Sequence, residues 1–228
     1  MNAIILCGGL STRLGEITKS IPKVLLDIKG KTVLEWQIEK VQKLGIRQVV
    51  LAAGHLSDEL FKTVGLHVGG TDLIYAIEKE RLGTGGAIKH AWKYVPNQDD
   101  PTLILNGDVL TTVDLGDMVQ YNKEGTDGII LGSRVDDAAS YGTLEYDSTF
   151  HLLAFKEKEG LHKPGYINGG IYIFNKSAQN YFPSENSFSI EYDVFPNMTD
   201  LYIYQSDRPW VDIGVPERLV LAREHWVE

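Results

Sequence analysis

The sequence predicts an α/β fold with a mixed, mostly parallel sheet flanked by helices, and three observations support this prediction. Short apolar segments alternate with segments of helical periodicity through the first half of the chain. The first apolar segment runs into a glycine-rich loop, as strands do at the ligand-binding edge of an open sheet. From Gly128 onward, short β-type runs separated by turns replace the alternation, so the second half is richer in strands.

In the first half, the sequence predicts strands joined mainly by helices. The first helix is expected to begin after Thr32, because Glu35 completes a capping box, and to end at Gly45. A second helix should run over 85–95, and Asp114 is the expected N-cap of a third. The strands are expected at 3–6, 49–53, 73–77 and 102–105.

In the second half, we expect the strands to extend the same sheet and to fold over its carboxyl edge. A helix from Pro216 to Trp226 should close the chain. We find no repeat or flexible linker, which favours a single domain over 1–228 with two parts, 1–127 and 128–228. The strands of this half are expected at 128–134, 142–146, 151–156 and 166–174.

Composition excludes several function classes. A net charge of −9 and a pI near 5.2 argue against nucleic-acid binding, which depends on lysine and arginine. The single cysteine, Cys7, allows no internal disulfide and fits a small buried filler, and the six histidines show no metal-ligand spacing. No membrane span or signal peptide is expected, so we predict a cytoplasmic protein without a membrane partner.

Residues 6–14, together with Lys23, form a candidate phosphate-binding loop. Gly8 and Gly9 allow a tight turn that presents backbone N–H groups to an anion, while Arg13 and Lys23 add positive charge. The glycine pair alone favours a plain turn from strand to helix, but Thr12, Arg13 and Pro22-Lys23 at this spacing reverse that preference and favour a nucleoside triphosphate. The loop lacks both the Gly-Lys-Ser/Thr of a P-loop and the Gly-x-Gly-x-x-Gly of a dinucleotide fold.

Asp108 follows the strand predicted at 102–105. An acid in this place would point into the crevice where open α/β sheets bind ligands, which makes it a candidate metal ligand. The preceding Asn106 and Gly107 also suit an ordinary turn, so the tripeptide alone leaves both interpretations open.

Five separated motifs together resemble the sugar-1-phosphate nucleotidyltransferases, also called nucleotide-sugar pyrophosphorylases. The pattern around Ser189, Glu191 and Asp193 resembles in particular the short branch that acts on heptose or mannose 1-phosphates. The resemblance implies a Rossmann-like nucleotide-diphospho-sugar transferase fold, with a nucleotide-binding half over 1–127 and a sugar-phosphate-binding half over 128–228. The motifs lie at 6–14 with Pro22-Lys23, 83–87, 155–158, 168–172 and 212–217.

The resemblance also implies a set of site residues. Arg13, Lys23 and Asp108 would be catalytic. The sugar phosphate would be bound at Gly142, Glu157, Lys158 and Asn168. The nucleotide would be bound at Leu6, Gly8, Gly9, Ser11, Thr12, Arg13, Lys23, Glu78, Gly83 and Thr84.

By the same resemblance, Asp212 would be a second metal-binding acid beside Asp108. Two carboxylates about 4 Å apart repel by roughly 4 kcal/mol at an effective dielectric constant of 20, so a shared site requires a cation. Mg²⁺ fits, because it prefers one or two carboxylates together with substrate phosphates.

Glu78 is expected to contact the nucleobase, which would rest on the glycine-rich backbone of 83–87. A carboxylate only accepts hydrogen bonds, and guanine offers two donors on one edge where uracil offers one, so Glu78 favours GTP. The alternative is that 78–81 is a solvated charge run.

Two positions depart from the family pattern. Ser11 replaces the usual glycine of the loop, which puts the backbone angles there in question because serine tolerates positive φ poorly. Val24 replaces a proline that often follows Pro-Lys.

The expected function is Mg²⁺-dependent transfer of a nucleotidyl group, with GTP favoured, to a heptose- or mannose-type sugar 1-phosphate. Two alternatives stay open: a non-catalytic subunit that binds a nucleotide-sugar, and a transferase that uses UTP, CTP or dTTP or a different acceptor. Retention of Arg13, Lys23, Asp108 and Asp212 favours the enzyme. The sequence leaves the oligomeric state open, and a homo-oligomer is compatible with it.

Overall fold

A computed structural model describes residues 1–156, 160 and 162–227 of the chain. The helices in this part are α1 Val33–Lys43, α2 Ser57–Val64, α3 Gly83–Trp92, α4 Leu115–Tyr121, α5 Ile190–Asp193 and α6 Pro216–His225. The strands are β1 Asn2–Leu6, β2 Asp27–Ile28, β3 Lys31–Thr32, β4 Gln48–Ala53, β5 His67–Val68, β6 Thr71–Ile77, β7 Thr102–Asn106, β8 Val109–Thr111, β9 Gly128–Val135, β10 Thr143–Tyr146, β11 Leu152–Lys156, β12 Gly165–Phe174, β13 Leu201–Ser206 and β14 Trp210–Asp212.

The central sheet has ten strands and includes strands from both halves of the chain. Its main path runs β11-β10-β12-β7-β1-β4-β6-β5, and β9 joins it by pairing with β12 and β13. The pairs β1–β4, β1–β7 and β4–β6 are parallel, whereas β12 runs antiparallel to β7. The predicted mixed α/β fold is therefore confirmed, including the extension of the same sheet by the second half.

Both faces of the sheet are buried, as expected for parallel strands covered by helices. On β1, Ala3 and Ile5 face a cluster that contains the apolar side of α1, while Ile4 faces a cluster that contains Trp92 of α3. Ile4 and Ile5 are fully buried. The rigid centre of the sheet thus fixes the position of the loop that follows Leu6.

The local signals for the first and third predicted helices are confirmed. Thr32 caps α1, and the Glu35 carboxylate accepts a hydrogen bond from the Thr32 backbone N–H at 2.6 Å, which completes the capping box. Asp114 caps α4 by accepting from the backbone N–H of Gly116 at 2.7 Å. The second predicted helix begins earlier and ends earlier than expected, over Gly83–Trp92.

Among the α-helices and strands longer than four residues, α2 and β13 have no counterpart in the sequence prediction. The N-cap of α2 is Leu56, which has a left-handed backbone and makes no side-chain cap, so a capping pattern is missing. The strand β13 pairs in parallel with β9, far away in sequence.

The end of the chain packs beside the carboxyl edge of the sheet. β14 pairs antiparallel with β8, and a third apolar cluster joins Leu14, Ile213 and Leu219. Because Leu14 and Ile213 are both buried there, their neighbours Arg13 and Asp212 are brought to one place. Within the part of the chain that is described, no helix combines the length and apolar character that a membrane crossing requires.

Candidate active site

The candidate site lies where four parallel strands end along one edge of the sheet. Leu6 pairs with Ala52 and with Asn106, and Ala53 pairs with Ile77, so the segments that follow these strands are neighbours. They enclose a cavity of about 310 Å³. It is lined by Leu6, Cys7, Gly8, Gly9, Leu10, Lys23, Val24, Ala52, Glu78, Arg81, Gly83, Thr84, Ala87, Asn106, Gly107 and Asp108. We call this the nucleotide cavity, after the predicted role of its loop.

The loop after β1 turns at Ser11, not at its glycines. Ser11 has φ 52° and ψ 34°, in the left-handed region, whereas neither Gly8 nor Gly9 has a positive φ. The carbonyl of Ser11 accepts hydrogen bonds from the backbone N–H of Leu14 at 2.9 Å and from Oγ1 of Thr18 at 3.1 Å. These contacts hold the serine in a conformation that normally favours glycine.

Cys7 and Glu78 are buried to different degrees beside this loop. Cys7 is buried and burial raises the pKa of its thiol, which fits the filler role expected for it. The Glu78 carboxylate packs against the backbone of Gly54 and Gly8, and its Oε2 accepts from the backbone N–H of Leu82 at 3.3 Å. Burial also raises the pKa of Glu78. The following residues 79–81 are exposed, so the solvated-run alternative describes them but not Glu78.

The glycines at the start of α3 serve a packing contact. A Cβ at Gly85 would overlap the Phe188 ring, and a Cβ at Gly86 would overlap the Asn186 carbonyl oxygen. The expectation that these glycines clear space for a nucleobase is therefore wrong at Gly85 and Gly86, because the chain itself fills that space. Gly83 and Thr84 remain in the lining of the nucleotide cavity.

The two acids predicted as metal ligands meet although they are distant in sequence. Asp212 pairs with Val109 across β14 and β8, and the backbone N–H of Ile213 donates to the Asp108 carbonyl at 2.9 Å. A Cβ built on Gly214 would lie 2.8 Å from Asp212 Oδ1 and 3.6 Å from Asp108 Oδ2. The same point would lie 3.1 Å from Nη2 of Arg13. The two carboxylates thus converge on one small region.

Each acid carries a basic partner. Lys23 Nζ lies 2.6 Å from Asp108 Oδ2, and Arg218 Nη2 lies 2.9 Å from Asp212 Oδ1, with all four side chains largely buried. Burial raises the pKa of Asp212, the charge of Asp108 raises it further, and Arg218 opposes both. A carboxylate whose ionisation is disfavoured by a second carboxylate nearby forms, with that neighbour, a site that favours a cation.

A second cavity, of about 170 Å³, opens beside these acids, and we call it the sugar-side cavity. Asp108 and Asn106 line both cavities and therefore stand between them. The sugar-side cavity is lined by Arg13, Asn106, Asp108, Val109, Ser140, Tyr141, Gly142, Asn168, Gly170, Trp210, Asp212 and Arg218.

The family model for nucleotidyl transferases matches residues 2–227 of this sequence. The chain belongs to the nucleotidyl transferase family. The family predicted from the motifs is confirmed, and so are the enzyme class and nucleotidyl transfer as its reaction.

Named relatives lie in the predicted branch. The chain is 40% identical to D-glycero-alpha-D-manno-heptose 1-phosphate guanylyltransferase of Campylobacter jejuni, over 95% of this chain and 96% of that protein. It is 34% identical to the catalytic subunit beta of mannose-1-phosphate guanylyltransferase of Drosophila melanogaster, over 94% of this chain. It covers 60% of the length of that longer relative.

A solved structure agrees with the fold. HddC from Yersinia pseudotuberculosis, crystallised in complex with GMP-PN, superimposes with a TM-score of 0.85 at 34% identity, over 98% of each chain. A putative glucose-1-phosphate thymidylyltransferase from Bacillus anthracis shares the fold with a TM-score of 0.83 at 22% identity. The predicted nucleotide-diphospho-sugar transferase fold is thus confirmed.

Within this transferase, the predicted sugar-binding residues are only partly described. Glu157 and Lys158 lie outside the described residues. Gly142 and Asn168 both line the sugar-side cavity, and the backbone N–H of Asn168 donates to the Gly142 carbonyl at 3.1 Å. A Cβ at Gly142 would overlap the Phe155 ring, which explains the glycine there.

Arg13 and Thr12, two of the predicted nucleotide-binding residues, lie outside the lining of the nucleotide cavity. Both side chains are exposed, and Arg13 lines the sugar-side cavity while neither residue lines the nucleotide cavity. Lys23, in contrast, lines the nucleotide cavity beside Asp108. The two predicted cations of the loop therefore stand on opposite sides of Asp108.

Sequence reasoning missed Arg218 and Tyr141 as members of one network. Arg218 Nη1 donates to the Tyr141 hydroxyl at 2.7 Å, and its guanidinium carbon lies 5.0 Å from the centre of the Tyr141 ring. The buried Nε of Arg218 has no partner among the described residues. The sequence did contain a signal for Arg218. It lies four residues after Gly214, in the first turn of the predicted closing helix, which begins shortly after Asp212.

Proposed function

We propose that this chain transfers a guanylyl group from GTP to the 1-phosphate of a heptose- or mannose-type sugar, with Mg²⁺ as cofactor and pyrophosphate as the second product. The observation that carries the proposal is the position of Asp108, which lines both cavities and meets Asp212 at their junction. A reaction between two phosphorylated substrates requires a charged centre where they meet.

GTP is supported by Glu78 and by the named relatives. The Glu78 carboxylate lies in the lining of the nucleotide cavity, where it would accept hydrogen bonds from the two donors on one edge of guanine. The Campylobacter jejuni and Drosophila melanogaster relatives are both named as guanylyltransferases. UTP and dTTP would offer this carboxylate the single N3–H donor of their bases, and CTP only its N4 amino group.

A heptose- or mannose-type acceptor is supported by the sugar-side cavity and by the same relatives, which are named for heptose and mannose 1-phosphates. Arg13, Arg218 and Asn168 supply donors for a phosphate and for hydroxyl groups in this cavity. We expect Lys158, outside the described residues, to reach the same phosphate.

The acids fit a Mg²⁺ ion. Asp108 and Asp212 offer hard oxygen ligands in one region, and the described residues contain no cluster of three or more acidic, histidine or cysteine side chains that could hold a metal alone. Two carboxylates completed by substrate phosphates are a set that Mg²⁺ prefers. When bound, the metal would neutralise charge that develops on the triphosphate.

The proposed reaction is an in-line displacement that needs no protein nucleophile. An anionic oxygen of the sugar 1-phosphate attacks the α-phosphorus of GTP, the bond from that phosphorus to the bridging oxygen breaks, and pyrophosphate leaves with the electron pair. The protein contributes positioning and charge. Lys23 would move from Asp108 towards the α-phosphate, and Arg13 would face the incoming sugar phosphate.

A substrate matrix tests this function. The protein with Mg²⁺ is mixed with each of the four NTPs against mannose, glucose, heptose and N-acetylhexosamine 1-phosphates, and pyrophosphate release is measured. We expect the fastest release with GTP and a heptose or mannose phosphate. Fastest release with another NTP would refute the role of Glu78. No release with any pair would refute the proposed reaction.

A further inference from the structure

The segment 186–190, which is distant in sequence, packs against the N-terminus of α3. The carbonyl of Phe188 accepts from the backbone N–H groups of Gly85 and Gly86 at 3.1 and 3.3 Å, and its N–H donates to the Leu82 carbonyl at 2.9 Å. The segment therefore occupies N–H groups at the start of a helix that lines the nucleotide cavity.

The Glu191 carboxylate joins the two segments through side-chain hydrogen bonds. Its Oε2 accepts from the Thr84 hydroxyl at 2.9 Å and from the Ser189 hydroxyl at 2.7 Å. The Thr84 hydroxyl oxygen in turn accepts from the backbone N–H of Ile190 at 3.0 Å. Because its one hydrogen is directed to Glu191, Thr84 cannot donate that hydrogen to a nucleobase.

The charge of Glu191 also reaches Tyr172, whose hydroxyl contacts a residue of the sugar-side cavity. Tyr172 is fully buried, and burial followed by the charge of Glu191 raises the pKa of its phenol well above the ordinary value. The Tyr172 hydroxyl accepts from Nδ2 of Asn168 at 3.0 Å, and Asn168 lines the sugar-side cavity.

We propose that Glu191 is a positioning residue, which fixes Thr84 and the first turn of α3 against 188–190 so that the nucleotide cavity is formed before the nucleotide binds. This inference deepens the proposed function and rests on it. Glu191 touches no substrate in this account and acts through Thr84. The backbone and methyl group of Thr84, rather than its hydroxyl, then face the nucleotide.

Two variants and a matched control test the role. Glu191→Ala removes the acceptor, whereas the amide oxygen of Glu191→Gln can still accept both hydroxyl hydrogen bonds. Glu185→Ala is the control, because Glu185 is an exposed carboxylate of the same segment that contacts Ser184. Calorimetry measures the affinity for each of the four NTPs, and amide hydrogen exchange is followed over 82–86.

We expect Glu191→Ala to weaken binding of the preferred NTP about tenfold and to speed exchange over 82–86 by a similar factor, with kcat changed less than KM. Glu191→Gln should recover most of both effects, and the control should match the wild type. A general loss of thermal stability with unchanged affinity or unchanged exchange over 82–86 would overturn the positioning role alone. A wild type that binds none of the NTPs would overturn the proposed function and this inference together.

Discussion

The two cavities on either side of Asp108 are built in different ways. The nucleotide cavity is formed by segments that directly follow β1, β6 and β7, together with the start of α3, all from the first half of the chain. The sugar-side cavity combines Arg13 with residues of β12, β14 and α6. Among its charged groups, Asp212 is paired with Arg218, and Asp108 is paired with Lys23 of the nucleotide cavity. One cavity is largely backbone and apolar surface, whereas the other is a network of charges.

The difference suggests how the two substrates would be recognised. Backbone N–H groups at the ends of parallel strands are held rigidly by the sheet, which suits a flat base and a triphosphate. Charged side chains that neutralise one another can exchange partners when a phosphate arrives, which suits the incoming substrate. Asp108, which lines both cavities, should be the residue whose loss disturbs both.

The largest effect is expected for Asp108→Asn, because Asp108 lines both cavities. The change removes one of the two converging carboxylates and frees Lys23 from its ion pair. Steady-state kinetics should show kcat/KM reduced by at least about a hundredfold. Asp117→Asn, an exposed acid on α4, is the control. If Asp108→Asn turned over normally at saturating Mg²⁺, Asp108 would be excluded from the active centre.

Arg218→Gln should separate the cavities, because Arg218 lines the sugar-side cavity and not the nucleotide cavity. It removes the partner of both Asp212 and Tyr141. We expect KM for the sugar 1-phosphate to rise about tenfold while KM for the nucleotide stays within about twofold. Arg223→Gln, an exposed arginine on the same helix, should leave both values unchanged. Equal increases in both KM values would show that the cavities do not act separately.

Glu78→Gln changes a residue that lines the nucleotide cavity and not the sugar-side cavity. Selectivity for GTP over UTP should fall about tenfold, because an amide replaces one acceptor by a donor. The free energy of unfolding, in contrast, should rise in this variant. The folded pKa of Glu78 is raised, so its ionised form destabilises the fold at neutral pH.

The raised folded pKa of Glu78 also determines how the stability gain depends on pH. The stability gain of Glu78→Gln should be full above the raised folded pKa and should vanish as the pH falls below the ordinary glutamate value of about 4.3. Denaturant unfolding at several pH values measures it. A gain that grows as the pH falls would contradict the assignment of burial as the cause.

The smallest effect is expected at Ser11, whose φ is 52°. Ser11→Gly should stabilise the protein by about 1 kcal/mol, because glycine adopts this conformation without strain. Ser11→Ala keeps the Cβ and should give no gain. Urea unfolding of both variants distinguishes them, and equal stabilities would show that the loop is not strained at Ser11.

The features that the sequence could predict are local ones. The capping box of Thr32 and Glu35, the cap at Asp114 and the strands that end at the site all depend on residues near one another in the chain. The motif around Asp212 predicted its return to Asp108 only by resemblance to a family, and the pairing of β14 with β8 explains that return physically.

The features that the sequence could not predict depend on contacts between distant residues. Gly85 and Gly86 look like a surface for a ligand, but Phe188 and Asn186 fill that space. Ser11 shows that a non-glycine residue can adopt positive φ where Leu14 and Thr18 bind its carbonyl. The ion pair of Arg218 with Asp212 likewise depends on how α6 packs, which periodicity does not specify.

Asp108 and Asp212 are proposed to bind a divalent cation together, beside the nucleotide. Calorimetric titration with GTP, once in Mg²⁺ and once in EDTA, tests it most directly. In the wild type we expect Mg²⁺ to tighten GTP binding about tenfold, and in Asp108→Asn and Asp212→Asn we expect that enhancement to disappear, with Asp117→Asn unaffected. If either variant at 108 or 212 kept the full Mg²⁺ enhancement, the claim would be contradicted.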